Sequence, residues 1–111
     1  MNPQGAVWMQ VLTSLGPYIF KASDLNRMFP LSSTQLVFAF EGNITPKGGK
    51  ETWIIFTHNT GKGEILIKDF YGIMGREFTK HKNPIKLADV PNSKYWHEEI
   101  TACNIKTPGD F

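Results

Sequence analysis

Apolar residues near the N-terminus recur at the spacing of a helix. The positions are Val7, Val11 and Leu15, at i, i+4 and i+8, with Trp8 and Leu12 on a neighbouring stripe. Such a stripe is typical of one face of an α-helix. Pro17 would end that helix, because proline cannot continue the hydrogen-bond ladder. We therefore predict a helix over about residues 5–15 and a short extended piece at 18–20.

A second short helix is predicted at residues 23–29. Ser23 can cap its N-terminus. Leu25, Met28 and Phe29 then stand at i, i+3 and i+4, which places them on one helical face. Pro30 would end this helix.

Residues 33–41 fit either of two structures. As a helix, they are capped by Ser32-Ser33-Thr34 and end at Gly42-Asn43. As a strand, Leu36, Phe38 and Phe40 alternate with the residues between them. Both possibilities remain open from the sequence.

The later part of the chain predicts a β-hairpin. Residues 52–57 are rich in β-branched and aromatic side chains, as strands are. Residues 59–63 contain two glycines that permit a turn, and residues 64–70 would form the antiparallel partner strand. Residues 44–50, with Pro46 and Gly48-Gly49, read as a loop.

Taken together, these elements predict a single α+β domain over residues 1–111, in which N-terminal helices precede an antiparallel β-hairpin or meander. The order of helix, helix, turn, helix and hairpin resembles a winged helix-turn-helix domain, which is our first hypothesis for the fold. If residues 35–41 are instead a strand, helices would pack on a meander of 35–41, 52–58 and 64–70.

Composition favours a cytoplasmic protein that is not embedded in a membrane. The chain is 41% hydrophobic, which is enough for one core, yet no apolar run approaches the roughly 20 residues of a membrane span. Residues 1–5 carry no lysine or arginine before the apolar stretch, unlike a secretory signal. The single cysteine, Cys103, permits no internal disulfide, which fits a reducing compartment.

Positive charge is concentrated in the middle of the chain. The net charge is +2, but residues 44–86 contain eight basic and four acidic side chains. A basic region of this kind can attract a polyanion, although an ordinary solvated surface has a similar composition.

Motifs for cofactors and metals are absent from the sequence. The Gly-Lys pairs at 49–50 and 61–62 lack the earlier glycine and the following Ser or Thr of a phosphate-binding loop. No histidine or cysteine pair has the close spacing of a zinc site. We expect no cofactor and no metal.

Three functions remain as hypotheses. The first is non-catalytic binding of nucleic acid, through polar residues of the third predicted element and basic residues of the hairpin and loops: Ser33, Thr34, Gln35, Lys47, Lys50, His58, Lys62, Arg76, Lys80 and Lys82. The alternative is a protein-interaction or inhibitor module, or a homodimer, that docks through aromatic residues: Trp53, Tyr71, Tyr95 or Trp96. The third is a ribonuclease-like enzyme that uses His58, His81 and His97 with Glu98 or Glu99 and nearby lysines.

Overall fold

The computed structural model describes residues 7–41, 51–80 and 84–107. These residues form eight strands and one α-helix, in the chain order β1 (Trp8–Thr13), β2 (Gly16–Lys21), β3 (Leu25–Ser32), β4 (Gln35–Glu41), β5 (Glu51–His58), α1 (Gly63–Lys80), β6 (Ile85–Asp89), β7 (Lys94–Tyr95) and β8 (Ile100–Lys106). The predicted fold of N-terminal helices and a hairpin is wrong, and so is the winged-helix hypothesis, because the N-terminal half is built of strands. The predicted loop at 44–50 lies outside the described residues.

The strands form two four-stranded sheets. The first sheet has the order β2-β1-β6-β7, and the second has the order β3-β4-β5-β8. All neighbouring pairs are antiparallel except β1 and β6, which are parallel. A short 3-10 turn at Ala22–Asp24 joins β2 to β3, so the chain passes from the first sheet to the second at this point.

The predicted N-terminal helix is strand β1. Val7, Met9 and Val11 alternate with exposed or half-buried neighbours, and all three are buried. The spacing of i and i+4 is shared by one helical face and by one strand face, because four is an even number of residues. Leu15, the third member of the predicted stripe, is 90% exposed in the turn between β1 and β2. The apolar spacing was therefore correct, but the period inferred from it was wrong.

The second predicted helix is strand β3, and a β-bulge explains the error. Leu25 lies opposite Phe40 and Arg27 opposite Ala39, so Asn26 is an extra residue in the register. A bulge of this kind shifts the alternation of side chains by one position. Leu25 and Met28 therefore both pack against the core, as an i, i+3 pair does on a helix.

The ambiguous segment is strand β4, which lies between β3 and β5 in the second sheet. Leu36, Phe38 and Phe40 belong to the core, as the strand alternative predicted. Val37 and Ala39, on the opposite face, are also fully buried. A strand buried on both faces carries no polar alternation, which is why the sequence did not separate it from a helix.

Strand β5 confirms the prediction for residues 52–57, but the predicted second strand of the hairpin is the first half of helix α1. Leu66 and Phe70 are fully buried, and Ile67, Ile73 and Met74 pack beside them. This i, i+4, i+7, i+8 stripe holds the segment against the core as a helix. In the second sheet β5 pairs with β4 on one side and with β8, not with residues 64–70, on the other.

Both sheets and the helix contribute to one core. The rings of Phe20 and Phe40 join the two sheets at 4.7 Å between centroids. Phe38 meets Phe70 of α1 at 4.5 Å, and Trp96 packs against Phe70 at 5.4 Å. The described residues thus share a single hydrophobic centre, consistent with one small domain.

Two edge strands contain proline. Pro17 lies in β2 and Pro30 in β3, and these strands end their respective sheets. Proline lacks the N–H that a further strand would bind, so it is confined to such edges and hinders pairing with another chain. In the part of the chain that the structure describes, no helix combines the length and apolar character needed to cross a lipid bilayer.

Candidate interaction surface

The outer face of the second sheet, opposite the core, carries an aromatic patch. We define the aromatic patch as Arg27, Phe29, Glu51, Trp53 and Ile55. The register places Phe29 and Ile55 on either side of Val37, and Arg27 and Trp53 on either side of Ala39. Val37 and Ala39 have no exposed surface, since the larger neighbouring side chains cover them. Phe29, Trp53 and Ile55 of the patch therefore form a second, smaller apolar cluster on the outer face of the sheet, beside the ion pair of Arg27 and Glu51.

The two aromatic rings of the patch contact each other directly. Phe29 and Trp53 are T-shaped, with 5.3 Å between centroids and an interplanar angle of 79°. The guanidinium of Arg27 lies over the ring of Phe29, 4.5 Å from its centroid. A cation over an aromatic face is attracted by the negative potential of the ring. Arg27, Phe29 and Trp53 thus form one ordered group of three.

Glu51 fixes this group from the side. Its Oε1 accepts hydrogen bonds from Nη2 of Arg27 at 2.9 Å and from Nε1 of Trp53 at 3.3 Å. Its Oε2 accepts one from Nδ2 of Asn26 at 3.3 Å. The hydrogen bond from Arg27 is the main cause that lowers the pKa of Glu51 below its usual value of 4.5, and burial opposes it. The carboxylate therefore stays ionised and keeps its three donors in place at neutral pH.

The structure brings several of the predicted nucleic-acid contacts to one end of the second sheet. Ser33 and Thr34 form the turn between β3 and β4, and Gln35 begins β4. The backbone N–H of Gly61 donates to the carbonyl of Ser33 at 3.0 Å. Lys62, half-buried, stands just before α1. The turn at Ser33-Thr34 and the turn before α1 are therefore neighbours.

His58 does not contribute to that surface. It is only 3% exposed, so its side chain offers almost no surface for the predicted contact with nucleic acid. Its Nδ1 lies 2.7 Å from the carbonyl oxygen of Asn59, which requires Nδ1 to carry the proton and donate. Nε2 is then an acceptor, buried and without a partner among the described residues. The imidazole packs against Gly63, the first residue of α1.

The side chains of the other predicted basic contacts are not among those that the structure describes. Lys47, Lys50 and Lys82 lie outside the described residues. Arg76 and Lys80 are in the last part of α1, where only the backbone is described. Binding of nucleic acid through these residues stays a prediction.

His97 holds the segment before β8 to helix α1. Its Nδ1 accepts a hydrogen bond from the backbone N–H of Glu99 at 3.1 Å. Nε2 therefore carries the proton of the neutral ring and donates to Oδ2 of Asp69 at 2.8 Å. The Asn59 side chain donates in turn to Glu99 at 2.8 Å. Both ring nitrogens of His97 are already occupied, which is the arrangement of a structural contact.

His58 and His97 do not form an open catalytic site, and His81 lies outside the described residues. The backbone N–H of Asn59 donates to the carbonyl of Glu99 at 3.0 Å, which holds the end of β5 next to the segment before β8. His58 and His97 therefore lie at the same end of the molecule. Buried His58 nevertheless has no access to a substrate. Among the residues with described side chains, no three His, Cys, Asp or Glu groups are close enough to hold a metal ion.

The four predicted aromatic anchors have different environments. Trp53 belongs to the aromatic patch, whereas Trp96 is half-buried and packs against the core. Tyr71 is 65% exposed on α1, and Tyr95 is half-buried. Sequence reasoning missed Arg27 and Phe29, because their segment had been assigned to a helix. A period-2 reading of β3 that allowed a bulge at Asn26 would have placed them beside Trp53.

Comparison with protein-family models, with curated protein sequences and with solved structures finds no match to this chain.

Proposed function

We propose that this protein is a non-catalytic binding module whose aromatic patch docks onto a partner protein. The observation that carries the proposal is the group formed by Arg27, Phe29 and Trp53 on the outer face of the second sheet. Tryptophan, tyrosine and arginine dominate the energetic centres of protein interfaces, and aromatic residues in general are enriched there. A cytoplasmic location, inferred from the single cysteine, is part of the same proposal.

The patch is ordered before any partner arrives. The arginine head is held between the Phe29 ring and the Glu51 carboxylate, and the indole N–H of Trp53 is bound to the same carboxylate. Immobilising long side chains costs about 0.5–1.5 kcal/mol each on association. A patch that is already fixed avoids part of this cost.

The partner would dock onto the face of the sheet and not along its β3 edge. Pro30 lies in edge strand β3, next to Phe29, and removes an N–H from that strand. Addition of a strand from another chain depends on continuous backbone hydrogen bonds. Side-chain contacts on the outer face do not have this requirement.

The experiment compares purified baits that differ at one surface. Wild-type protein, Phe29→Ala and Trp53→Ala are immobilised, and Tyr71→Ala serves as the matched control because Tyr71 is an exposed aromatic on α1. Circular dichroism first establishes that each bait is folded. We expect a protein partner retained by wild type and Tyr71→Ala, at about 0.5 M salt, and lost from both patch variants.

Equal retention by all four baits would contradict the proposal, since it would show that the aromatic patch is not the contact surface. Complete release of the partner by salt would also contradict it, because an apolar interface is far less sensitive to ionic strength than one made of exposed charges.

Binding of nucleic acid is the second candidate, and the neighbouring turns at Ser33-Thr34 and Gly61-Lys62 support it. Hydroxyl groups and a lysine beside the N-terminus of a helix are suited to phosphate oxygens. Lys47, Lys50, Arg76, Lys80 and Lys82 would add positive charge in this proposal, without a recognition helix.

Fluorescence anisotropy with labelled duplex DNA, single-stranded DNA and RNA, at about 50 and 200 mM salt, separates the two candidates. Binding that falls steeply with salt and is lost in a Lys47/Lys50/Lys62→Ala variant would support this second candidate. Absence of binding to all three at the lower salt concentration would remove it.

A further inference from the structure

A cleft opens between the two sheets, at the end that carries the turn between β1 and β2. Its volume is about 280 Å³. The inner wall is mainly apolar and comes from both sheets: Val11, Tyr18, Val90, Cys103 and Ile105 line it. The mouth is formed by Ser14, Leu15 and Asn104, all exposed. The cleft shares no residue with the aromatic patch, so this inference is independent of the proposed function.

None of the residues that line the cleft is an Asp, Glu, Lys, Arg or His. Cys103 is the one thiol, and burial raises its pKa to about 12, so it stays protonated at neutral pH. A protonated, half-buried thiol packs as a small apolar group and is a poor nucleophile. An ionised ligand would therefore lose its hydration without gaining a counter-charge, which is costly.

Size and polarity define the ligand further. A cavity of roughly 150 Å³ lined by apolar side chains holds benzene. The cleft is about twice that volume, which suits two fused rings. The hydroxyl group of Ser14 lies at the mouth, whereas the inner wall offers the Tyr18 ring and aliphatic carbon. A ligand with one polar end would enter ring first.

We propose that this cleft is a binding site for an uncharged, two-ring aromatic molecule that carries a single hydroxyl or amide group. Binding is non-covalent. The rings lie against Tyr18, Val90 and Ile105, and the polar group remains at the mouth beside Ser14. Leu15, 90% exposed at the rim, would cover the bound rings and thereby bury apolar surface of its own.

The test uses 2-naphthol as the probe and 2-naphthoate as its charged counterpart, titrated into the intact chain and followed by amide chemical shifts in ¹H–¹⁵N spectra. We expect saturable shifts at residues 13–15 and 103–105 with 2-naphthol, and at least about tenfold weaker binding of 2-naphthoate, a difference of about 1.4 kcal/mol. Absence of saturable shifts at these residues would overturn the proposal, as would equal binding of the two probes.

Two exposed residues give a matched pair of variants. Leu15→Ser removes the apolar side chain at the rim. It should weaken 2-naphthol binding about threefold to tenfold, because the bound rings would no longer bury part of a leucine side chain. Ile19→Ser removes an exposed apolar side chain of β2 that does not line the cleft, and it should leave binding unchanged. Both positions are on the surface, so both variants keep the fold and the same spectra verify it. Equal weakening by the two substitutions would place the probe outside the cleft and overturn the assignment.

Discussion

Phe29 and Trp53 contact each other edge to face across β4, although Val37 and Ala39 of β4 lie between their strands. The two rings reach over the central strand and close the apolar cluster on the outer face of the second sheet. This relationship explains how two residues of β4 are fully buried on the side of the sheet that faces solvent.

The contact between Phe29 and Trp53 should contribute measurably to stability. We expect the cycle of Phe29→Leu, Trp53→Leu and the double variant to give a coupling free energy of about 0.5–1.5 kcal/mol, because aromatic pairs in this geometry add that amount beyond burial. Urea unfolding measures it. The pair Phe29→Leu and Tyr71→Leu is the control and should be additive, since Tyr71 is on α1. A coupling near zero for Phe29 and Trp53 would show that the rings do not interact.

Glu51 should make stability depend on pH in the acid range. The pKa of Glu51 is lowered in the folded protein, so its stabilising effect is present above pH 4.5 and is lost as pH falls through the lowered value. At pH 7 we expect Glu51→Gln to cost about 0.2–1 kcal/mol, because Arg27 is 55% exposed and solvent screens the pair.

Unfolding of wild type and Glu51→Gln between about pH 7 and pH 3 tests this, and the difference between them should vanish towards the acid end. Arg27→Gln provides the control, since removal of the partner should also remove most of the pH-dependent difference. A constant difference across the whole range would contradict the ionic origin of the effect.

His58 should be replaceable by leucine. Its Nε2 is a buried acceptor without a partner among the described residues, and such a group costs about 1–3 kcal/mol of stability. The Asn59 carbonyl, which would lose the Nδ1 donor, still accepts the N–H of Lys62 at 3.2 Å. We therefore expect His58→Leu to change the free energy of unfolding by less than about 1 kcal/mol, or to raise it.

Ile54→Val, on the same face of β5, is the reference for an ordinary core change and should cost about 0.5–1.5 kcal/mol. A loss in His58→Leu well beyond this reference would mean that Nε2 makes a hydrogen bond in solution.

Cys103 should react slowly with alkylating reagents. Burial raises its pKa from 9.0 to about 12, and only the thiolate is nucleophilic. At a pH below both pKa values, each unit by which the pKa rises reduces the thiolate fraction tenfold. Iodoacetamide at pH 8 should therefore modify the folded chain about a thousand times more slowly than the urea-unfolded chain. Mass spectrometry follows the single adduct. Comparable rates in the two states would show that Cys103 is exposed and ionisable.

The sequence by itself determined which residues are apolar enough to form a core and that the chain turns after β5. Val7, Val11 and the alternation of β4 were recognised as buried stripes, and β5 was predicted as a strand in nearly its observed position. Strong β-propensity and a following glycine-containing turn are local features, so they can be recognised without knowledge of the fold.

The aromatic patch could be anticipated only in part. Trp53 was among the predicted anchors because its size and chemistry suit an interface, whereas its partners Arg27 and Phe29 were assigned to a helix. Their common face depends on a bulge at Asn26 and on the register of three strands. Neither is encoded in the spacing of residues within one segment.

Only the tertiary structure decided which period each apolar stripe follows. The intervals of β1 fit a strand and a helix equally, and the bulge in β3 imitates helical spacing. Conversely, residues 64–70 resemble a strand until Ile73 and Met74 extend their stripe along α1. Intrinsic preferences differ by only about 1 kcal/mol or less per residue. Burial of a large side chain is worth about 1.5–3 kcal/mol, so the surface that each stripe packs against determines its conformation.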